Sequence, residues 1–330
     1  MRNLGVMIAD RIRALERPLQ TGRAEICQVP AIGELGLLAE KVLQLENSGR
    51  VAAVFDRSFY AVLGGQWICV GLPHLGSGPL HVLCERRPHS WPTVGATAAV
   101  IGSILLIGDM PFAAFDNASI WKPELTPGWG RASLQIGLGT VDEFWRVDSA
   151  EEGLATAGCA RFPTKLTPLV AAAAAGVAAL DRIIIDALDE RVPSPADCAE
   201  FAKLIGLGPG LTPSGDDLIG GALIALAALD LLNVRDSLWR VCRAHLDHTN
   251  DISRAHLRAA ALGYGAAAMH TAIHATITGE AGRVERALAA VSAIGHSSGR
   301  DGFAGVLITL RAVERHLAGD KERTPASVHT

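Results

Sequence analysis

The sequence predicts an α+β protein: a β-rich N-terminal domain, sheet or barrel, followed by an all-helical C-terminal domain. Three observations carry that prediction. From about Ala24 to Val147 the apolar runs are short, rich in Val, Ile and Leu, and each ends at a glycine, a proline or a charge, which is the texture of strands. From about Thr164 onward the runs lengthen, turn Ala-rich and are preceded by cap-type residues, the texture of helices. A series of strands followed by a series of helices is the α+β arrangement. The change falls between Val147 and Thr164, in the polar, glycine-containing stretch 151–158, which divides the chain into domains at 1–155 and 156–330.

In chain order, a short helix is expected near Gly33 to Glu46. Strands are expected at 50–55, 60–65, 66–72, 79–84, 103–109 and 132–139, in a mostly antiparallel sheet with turns at Gly64-Gly65 and at Gly76 to Pro79. Helices are expected at 166–190, 195–205, 214–232, 235–248, 251–278, 282–294 and 300–318. Ser194 before Pro195 is a helix-start signal. Thr249 or Asp251 is placed to cap the helix beginning at Ile252, and Gly279 stands where a C-terminal glycine ends it. The polar end from Asp320 to Thr330 reads as frayed.

Of 330 residues, 49% are hydrophobic and 19% charged, a balance that supports a sizeable core and excludes global disorder. A net charge of −4 provides no basic footprint for nucleic acid, and 5% aromatic content provides little for stacking bases. The six cysteines, Cys27, Cys69, Cys84, Cys159, Cys198 and Cys242, form no CxxC pair, so reduced thiols and a cytoplasmic location are expected. Asp10, Arg11, Arg13 and Glu16 occupy the place where an export signal needs an apolar core. Residues 88–108 are uncharged but interrupted by Pro88, His89, Pro92, Gly95 and Gly102. The Ala-rich run Leu166 to Leu180, between Lys165 and Asp181, is also shorter than the roughly 20 apolar residues of a bilayer span. No membrane association is expected.

The most informative segment is GLGPGLTPSGDDLIGG, residues 206–221. Glycines and prolines make Gly206 to Gly215 a loop, and Ser214 or Asp216 is placed to open an apolar helix. Asp216 and Asp217 fall in its first turn, where the helix dipole favours carboxylates. Capping alone accounts for one of them; a second buried carboxylate needs a partner. Gly208, Gly210 and Gly215 allow backbone N–H groups to point inward, and Thr212 and Ser214 add hydroxyls, a combination suited to an anion. Because two carboxylates repel an anion, either Mg²⁺ sits between them or the loop's two ends do different work. No Gly-Lys-Ser/Thr follows, so the segment is not a nucleotide P-loop.

IGHSSGRDGFAG, residues 294–305, repeats the pattern. Ser297 or Ser298 is placed to cap, Asp301 enters an apolar helix, His296 and Arg300 add positive charge, and Gly302 and Gly305 permit close helix contact. HTNDISRAH, residues 248–256, adds Arg254 after a third cap-type cluster. Along the expected 251–278 helix, His256, Ala260, Gly263, Ala267, His270 and His274 fall on one narrow stripe, which marks close packing against a neighbouring helix. His270 and His274 have a zinc-capable i, i+4 spacing but lack the glutamate of HExxH, so hydrogen-bonded core histidines are the expected reading. Trp121, in DNASIWKPEL (116–125), reads as an aromatic pinning a surface turn.

The three C-terminal blocks resemble the signature blocks of the AllH-like family, and the segment around Trp121 resembles its weaker N-terminal block. This similarity spans about two thirds of the chain. It implies a subunit of oxamate carbamoyltransferase, working with AllF-like and AllG-like proteins, which converts oxalurate and phosphate to oxamate and carbamoyl phosphate. On that footing Thr212, Ser214 and loop amides would hold phosphate or a developing oxyanion. Asp217 would orient the substrate NH₂ group, and Arg254 or Arg300 would pair with the oxamate carboxylate. Asn250 departs from the family pattern, where a second threonine or similar residue is expected. Two other readings stay open: a non-catalytic scaffold or regulatory subunit, and a stand-alone metal-dependent hydrolase built on Asp216, Asp217 and Asp301.

Overall fold

Nine strands share one sheet in the N-terminal half, and ten helices, nine of them beyond residue 130, complete the described structure. The computed structural model describes residues 29–45, 47–87, 91–108, 110–124, 126, 128–147, 152–160 and 166–323, with side chains to residue 319. Asp10, Arg11, Arg13, Glu16, Ala24, Cys27, Glu46, Pro88, His89, Thr164, Lys165 and the tail after 323 lie outside the described residues.

The strands are β1 (Ile32–Gly36), β2 (Ser48–Val54), β3 (Ser58–Leu63), β4 (Gln66–Gly71), β5 (His81–Cys84), β6 (Thr97–Ile101), β7 (Ile104–Ile107), β8 (Met110–Ala114) and β9 (Ser119–Trp121), with helix α1 (Leu37–Leu43) after β1. Their order is β8-β7-β6-β2-β3-β4-β5-β1-β9. Among the described registers only β4–β5 is parallel. Leu63 pairs with Gln66 across Gly64 and Gly65, whose φ values of +55° and +79° are those a two-residue hairpin requires. The sheet curls: Ala31, just before β1, bridges Ala114 in β8, and the Ala114 N–H donates to the Pro30 carbonyl at 2.9 Å. Alternation along β3 buries Phe59, Ala61 and Leu63. The Phe59 ring packs edge-on against Trp91 and Phe112, with centroids 5.5 and 5.3 Å away.

The helical unit comprises residues from Trp121 onward together with 36–38 and 74–80. Its helices are α2 (Arg131–Phe144), α3 (Pro168–Leu188), α4 (Pro195–Ala202), α5 (Ser214–Ala228), α6 (Leu232–Arg243), α7 (Asp251–Ala261), α8 (Ala267–Thr278), α9 (Ala281–Ser292) and α10 (Ser298–Arg323).

Two expectations are corrected here. Residues 132–139 belong to α2, not to a strand. Leu134, Leu138 and Val141 recur at helical spacing and are buried, while Gly137 packs so closely that a Cβ there would lie 1.7 Å from the Thr276 carbonyl oxygen. Glycines that resembled strand punctuation are helix-packing positions. The expected helix 251–278 is two helices. The chain turns at Gly263, φ +85°, a conformation open to glycine at little cost, and α8 then ends at Gly279 in the left-handed region as expected. The histidine stripe is therefore divided between α7 and α8.

Helix α3 has 21 residues and, among the described residues, is the one helix long and apolar enough to cross a membrane. It outruns the Ala-rich stretch Leu166 to Leu180, because Ile183, Ile184 and Ile185 prolong it. Its Val170, Ala173, Leu180, Ile183 and Ile184 belong to the core of the helical unit.

A second close helix crossing in that core joins α5 to α10. A Cβ on Gly221 would lie 1.8 Å from the Gly302 carbonyl oxygen, and one on Gly305 would lie 1.8 Å from that of Leu218. Only glycine allows this approach, which brings the first turns of α5 and α10 together.

Candidate functional site

The loop before α5 is shaped by Gly206, Gly208 and Gly210, with φ of +77°, +114° and +93°. At Gly208 a side chain is excluded twice over, since a Cβ would also meet the Ser214 nitrogen at 2.9 Å. The Gly215 N–H donates to the Leu207 carbonyl at 2.9 Å and closes the loop. Ser214 is the first residue of α5, but no side chain caps it; Pro213 holds the cap position.

Asp216 reaches away from its own helix. It is 3% exposed. Its Oδ1 accepts the Gly206 N–H at 2.8 Å, and its Oδ2 accepts the Ser253 hydroxyl at 2.6 Å and the Thr249 hydroxyl as well. Such a carboxylate, fully occupied by chain donors, ties the loop to the start of α7. Asn250 adds a second tie. It caps α7 by accepting the Ser253 N–H at 3.0 Å, a role expected of Thr249 or Asp251, and its Nδ2 donates to the Leu211 carbonyl at 2.9 Å.

At the start of α10, Asp301 is fully buried and its Oδ1 accepts the Leu154 N–H at 2.5 Å. Gly153 lies flat against this carboxylate; a Cβ there would come 2.5 Å from Oδ1. Thr212 Oγ1 and Ser298 Oγ are 2.8 Å apart and link the two glycine-rich loops. Behind them stands Asp217, whose Oδ2 is shut off from solvent and has no hydrogen-bond partner among the described residues. Desolvation raises the Asp217 carboxyl well above the ordinary carboxylate range. The Ser298 and Thr212 hydroxyls offset part of the rise, and the neighbouring charges of Asp301 and Asp216 add to it.

In front of the hydroxyl pair opens a cavity of about 650 Å³. Three helix starts meet on its wall: Thr167, Pro168 and Leu169 at α3, Thr212 and Ser214 at α5, and Ser297 and Ser298 at α10. Each helix start carries about half a positive charge, so the three together favour an anion. Pro209, Gly210 and Leu211 form one side, and Glu152, Gly153 and His296 another, with His296 Nε2 3.1 Å from Glu152 at an exposed rim.

Of the residues singled out in the sequence, Gly210, Thr212, Ser214, His296, Ser297 and Ser298 line this cavity. Asp217 is next to its hydroxyls, Asp301 is covered by Gly153 of its wall, and Gly208, Gly215 and Asp216 shape the loop from behind. The arginines are not on the wall. Arg254 pairs with Asp251 one turn earlier. Arg300 lies over Trp145 at 5.1 Å and donates to the Arg146 carbonyl. Sequence reading missed Gly153, Glu152 and the 167–169 segment. Thr167-Pro168 has the cap-plus-proline signature that was recognised at Ser194-Pro195, and Thr167 does cap α3 by accepting the Val170 N–H at 3.2 Å.

Among the described residues no three His, Cys, Asp or Glu side chains are grouped to hold a metal ion. His270 Nε2 accepts the Gly265 N–H at 3.1 Å and braces the α7–α8 turn, and burial pushes its pKa down to about 4. Burial lowers His274 too, whose Nε2 is 3.4 Å from the Thr126 hydroxyl. Trp121 is half-buried, 6.1 Å from the His270 ring.

Residues 204–310 match the model of a family described as oxamate carbamoyltransferase subunit AllH, which supports an AllH-like family for this chain. That segment holds the two glycine-rich blocks and the 248–256 block between them. No solved structure matches the chain.

Proposed function

From an AllH-like segment at residues 204–310, we propose that this chain is the subunit of a cytoplasmic carbamoyltransferase of the oxamate type that holds the small anionic substrate. The observation that carries this reading is the convergence of three helix starts and the hydroxyls of Thr212, Ser214, Ser297 and Ser298 on one cavity. Oxamate, oxalurate, phosphate and carbamoyl phosphate all present negatively charged oxygens that such a wall would bind. The five described cysteines are unpaired, in keeping with a reducing compartment.

In the reaction considered, a phosphate oxygen bonds to the ureido carbon of oxalurate and the bond to the oxamate nitrogen breaks. The proton of hydrogen phosphate ends on that nitrogen. Backbone N–H groups and hydroxyls at the helix starts would stabilise the oxyanion formed on the way. Asp217 would face the amide group through Ser298 and Thr212. Asp301 and Asp216 would act as positioning residues, holding Gly153 and the 206–215 loop. Arg254 or Arg300 would need to leave its present partner to reach a carboxylate. AllF-like and AllG-like subunits, or Mg²⁺ brought with a phosphate, would supply what this chain lacks.

The test is titration of the isolated chain with oxamate, phosphate and carbamoyl phosphate, followed by turnover in the complex reconstituted with its partner subunits. Binding of at least one ligand, with Asp217→Asn lowering turnover by ~100-fold or more, is the expected result. No binding, with turnover unaffected by Asp217→Asn, would leave a scaffolding subunit.

A further inference from the structure

The cavity poses an electrostatic problem. Three acidic side chains, Asp216, Asp217 and Asp301, stand behind a wall that faces an anion. Asp216 is engaged by three donors and Asp301 by the Leu154 N–H. Asp217 has a buried Oδ2 without a partner among the described residues, and the charged groups acting on it, Asp301 across the helix crossing and Asp216 beside it, are both acidic. The Ser298 and Thr212 hydroxyls reach its carboxyl; they are 2.8 Å apart, and both residues are on the cavity wall.

A chain of hydroxyls has a direction. If Asp217 is ionised, it accepts, the hydroxyl hydrogens turn back toward it, and the cavity meets oxygen lone pairs. If Asp217 carries a proton, it donates, the chain reverses, and the last hydroxyl hydrogen points into the cavity. We propose that Asp217 is the proton-bearing end of this hydroxyl chain, and that the cavity takes up an oxyanion with Asp217 neutral. The inference rests on the cavity's being the anion site and adds a proton to each binding event above the carboxyl's own pKa. The raised pKa of Asp217 agrees with it. The other groups on the cavity that titrate, His296 and Glu152, are at the exposed rim.

Sulfate is the probe, because it stays fully ionised from about pH 5.5 to 8.5, whereas phosphate titrates there itself, and because it has no carbonyl. Infrared difference spectra of the full chain with and without sulfate read the protonation state of Asp217 directly. The expected result at neutral pH is the carbonyl stretch of a protonated carboxylic acid in the sulfate-bound chain, absent from Asp217→Asn. Sulfate affinity of the native chain should fall about tenfold per pH unit above the Asp217 pKa. It should stay level in Asp217→Asn, whose amide N–H replaces the acid O–H as donor. Ser298→Ala, which keeps the carboxyl and breaks the chain, should weaken sulfate binding about tenfold. Sulfate bound with Asp217 ionised overturns the inference and leaves the anion site standing. Absence of sulfate and phosphate binding at every pH overturns the site itself.

Discussion

The starts of α4 and α5 use the same vocabulary and reach opposite ends. At α4, Ser194 caps by accepting the Asp197 N–H at 3.0 Å, Pro195 follows, and Asp197 turns outward to Arg182 at 2.8 Å. The Arg182 guanidinium beside it holds the Asp197 carboxyl below the ordinary range. At α5 no side chain caps. Asp216 is given to a loop and another helix, and Asp217 is buried, so that desolvation, with a further push from its acidic neighbours, holds its carboxyl above the ordinary range. An acidic residue in a first turn is an ordinary helix device when it faces its own backbone and a surface cation. It points to a site when it turns inward without either.

The largest effect that would break this contrast is expected at Asp216. Asp216→Ala removes a buried acceptor from Gly206, Thr249 and Ser253 together, and should destabilise the chain by about 3 kcal/mol or more in chemical denaturation. A loss no larger than that of an exposed cap would mean the tie to α7 is dispensable.

Asp217 should behave in the opposite sense. Its folded pKa is raised, so the folded state holds a proton that the unfolded state releases once pH passes about 3.9. The stability this group contributes is complete below that pH and is lost as pH rises through the folded pKa. Asp217→Asn should therefore be close to neutral near pH 4 and stabilise the chain by about 1–2 kcal/mol at alkaline pH, seen as a melting temperature that no longer falls with pH. Equal pH dependence in both chains would show that Asp217 ionises at no cost. The smallest change is Ser194→Ala, about 1 kcal/mol of helix capping with no effect on anion binding.

Much of the fold was legible because its signals are local. Gly64-Gly65 as a hairpin turn, Ser194-Pro195 as a helix start and Gly279 as a helix end each depend on a few adjacent residues. The α+β division follows from texture alone. What misled was glycine with a long-range purpose. Gly137 lay inside an expected strand and is a contact with α8; Gly263 resembled a member of a small-residue stripe and is a break. For the site, the two loops and their hydroxyls were visible as motifs, and their meeting through Thr212 and Ser298 depends on a helix crossing that only three-dimensional packing reveals. Gly153 and Thr167 were missed because the glycine-rich loops they meet in the cavity, from Pro209 onward, are more than 40 residues away in sequence. The arginines were overvalued, since sequence shows a positive charge but not the Asp251 or Trp145 that already holds it.

The backbone-to-backbone seam at Gly221, Gly302 and Gly305 has a mechanical consequence. With no side chain between the helices there is nothing to compress or trim, so the gauge of the chamber above is fixed as in a rigid jaw. A single methyl at Gly305 would act as a shim, prising Thr212 from Ser298. Any retuning of what the cavity admits must therefore come from its other lining residues, at Leu169, Pro209, Leu211 and His296, where residues can change without moving the jaw.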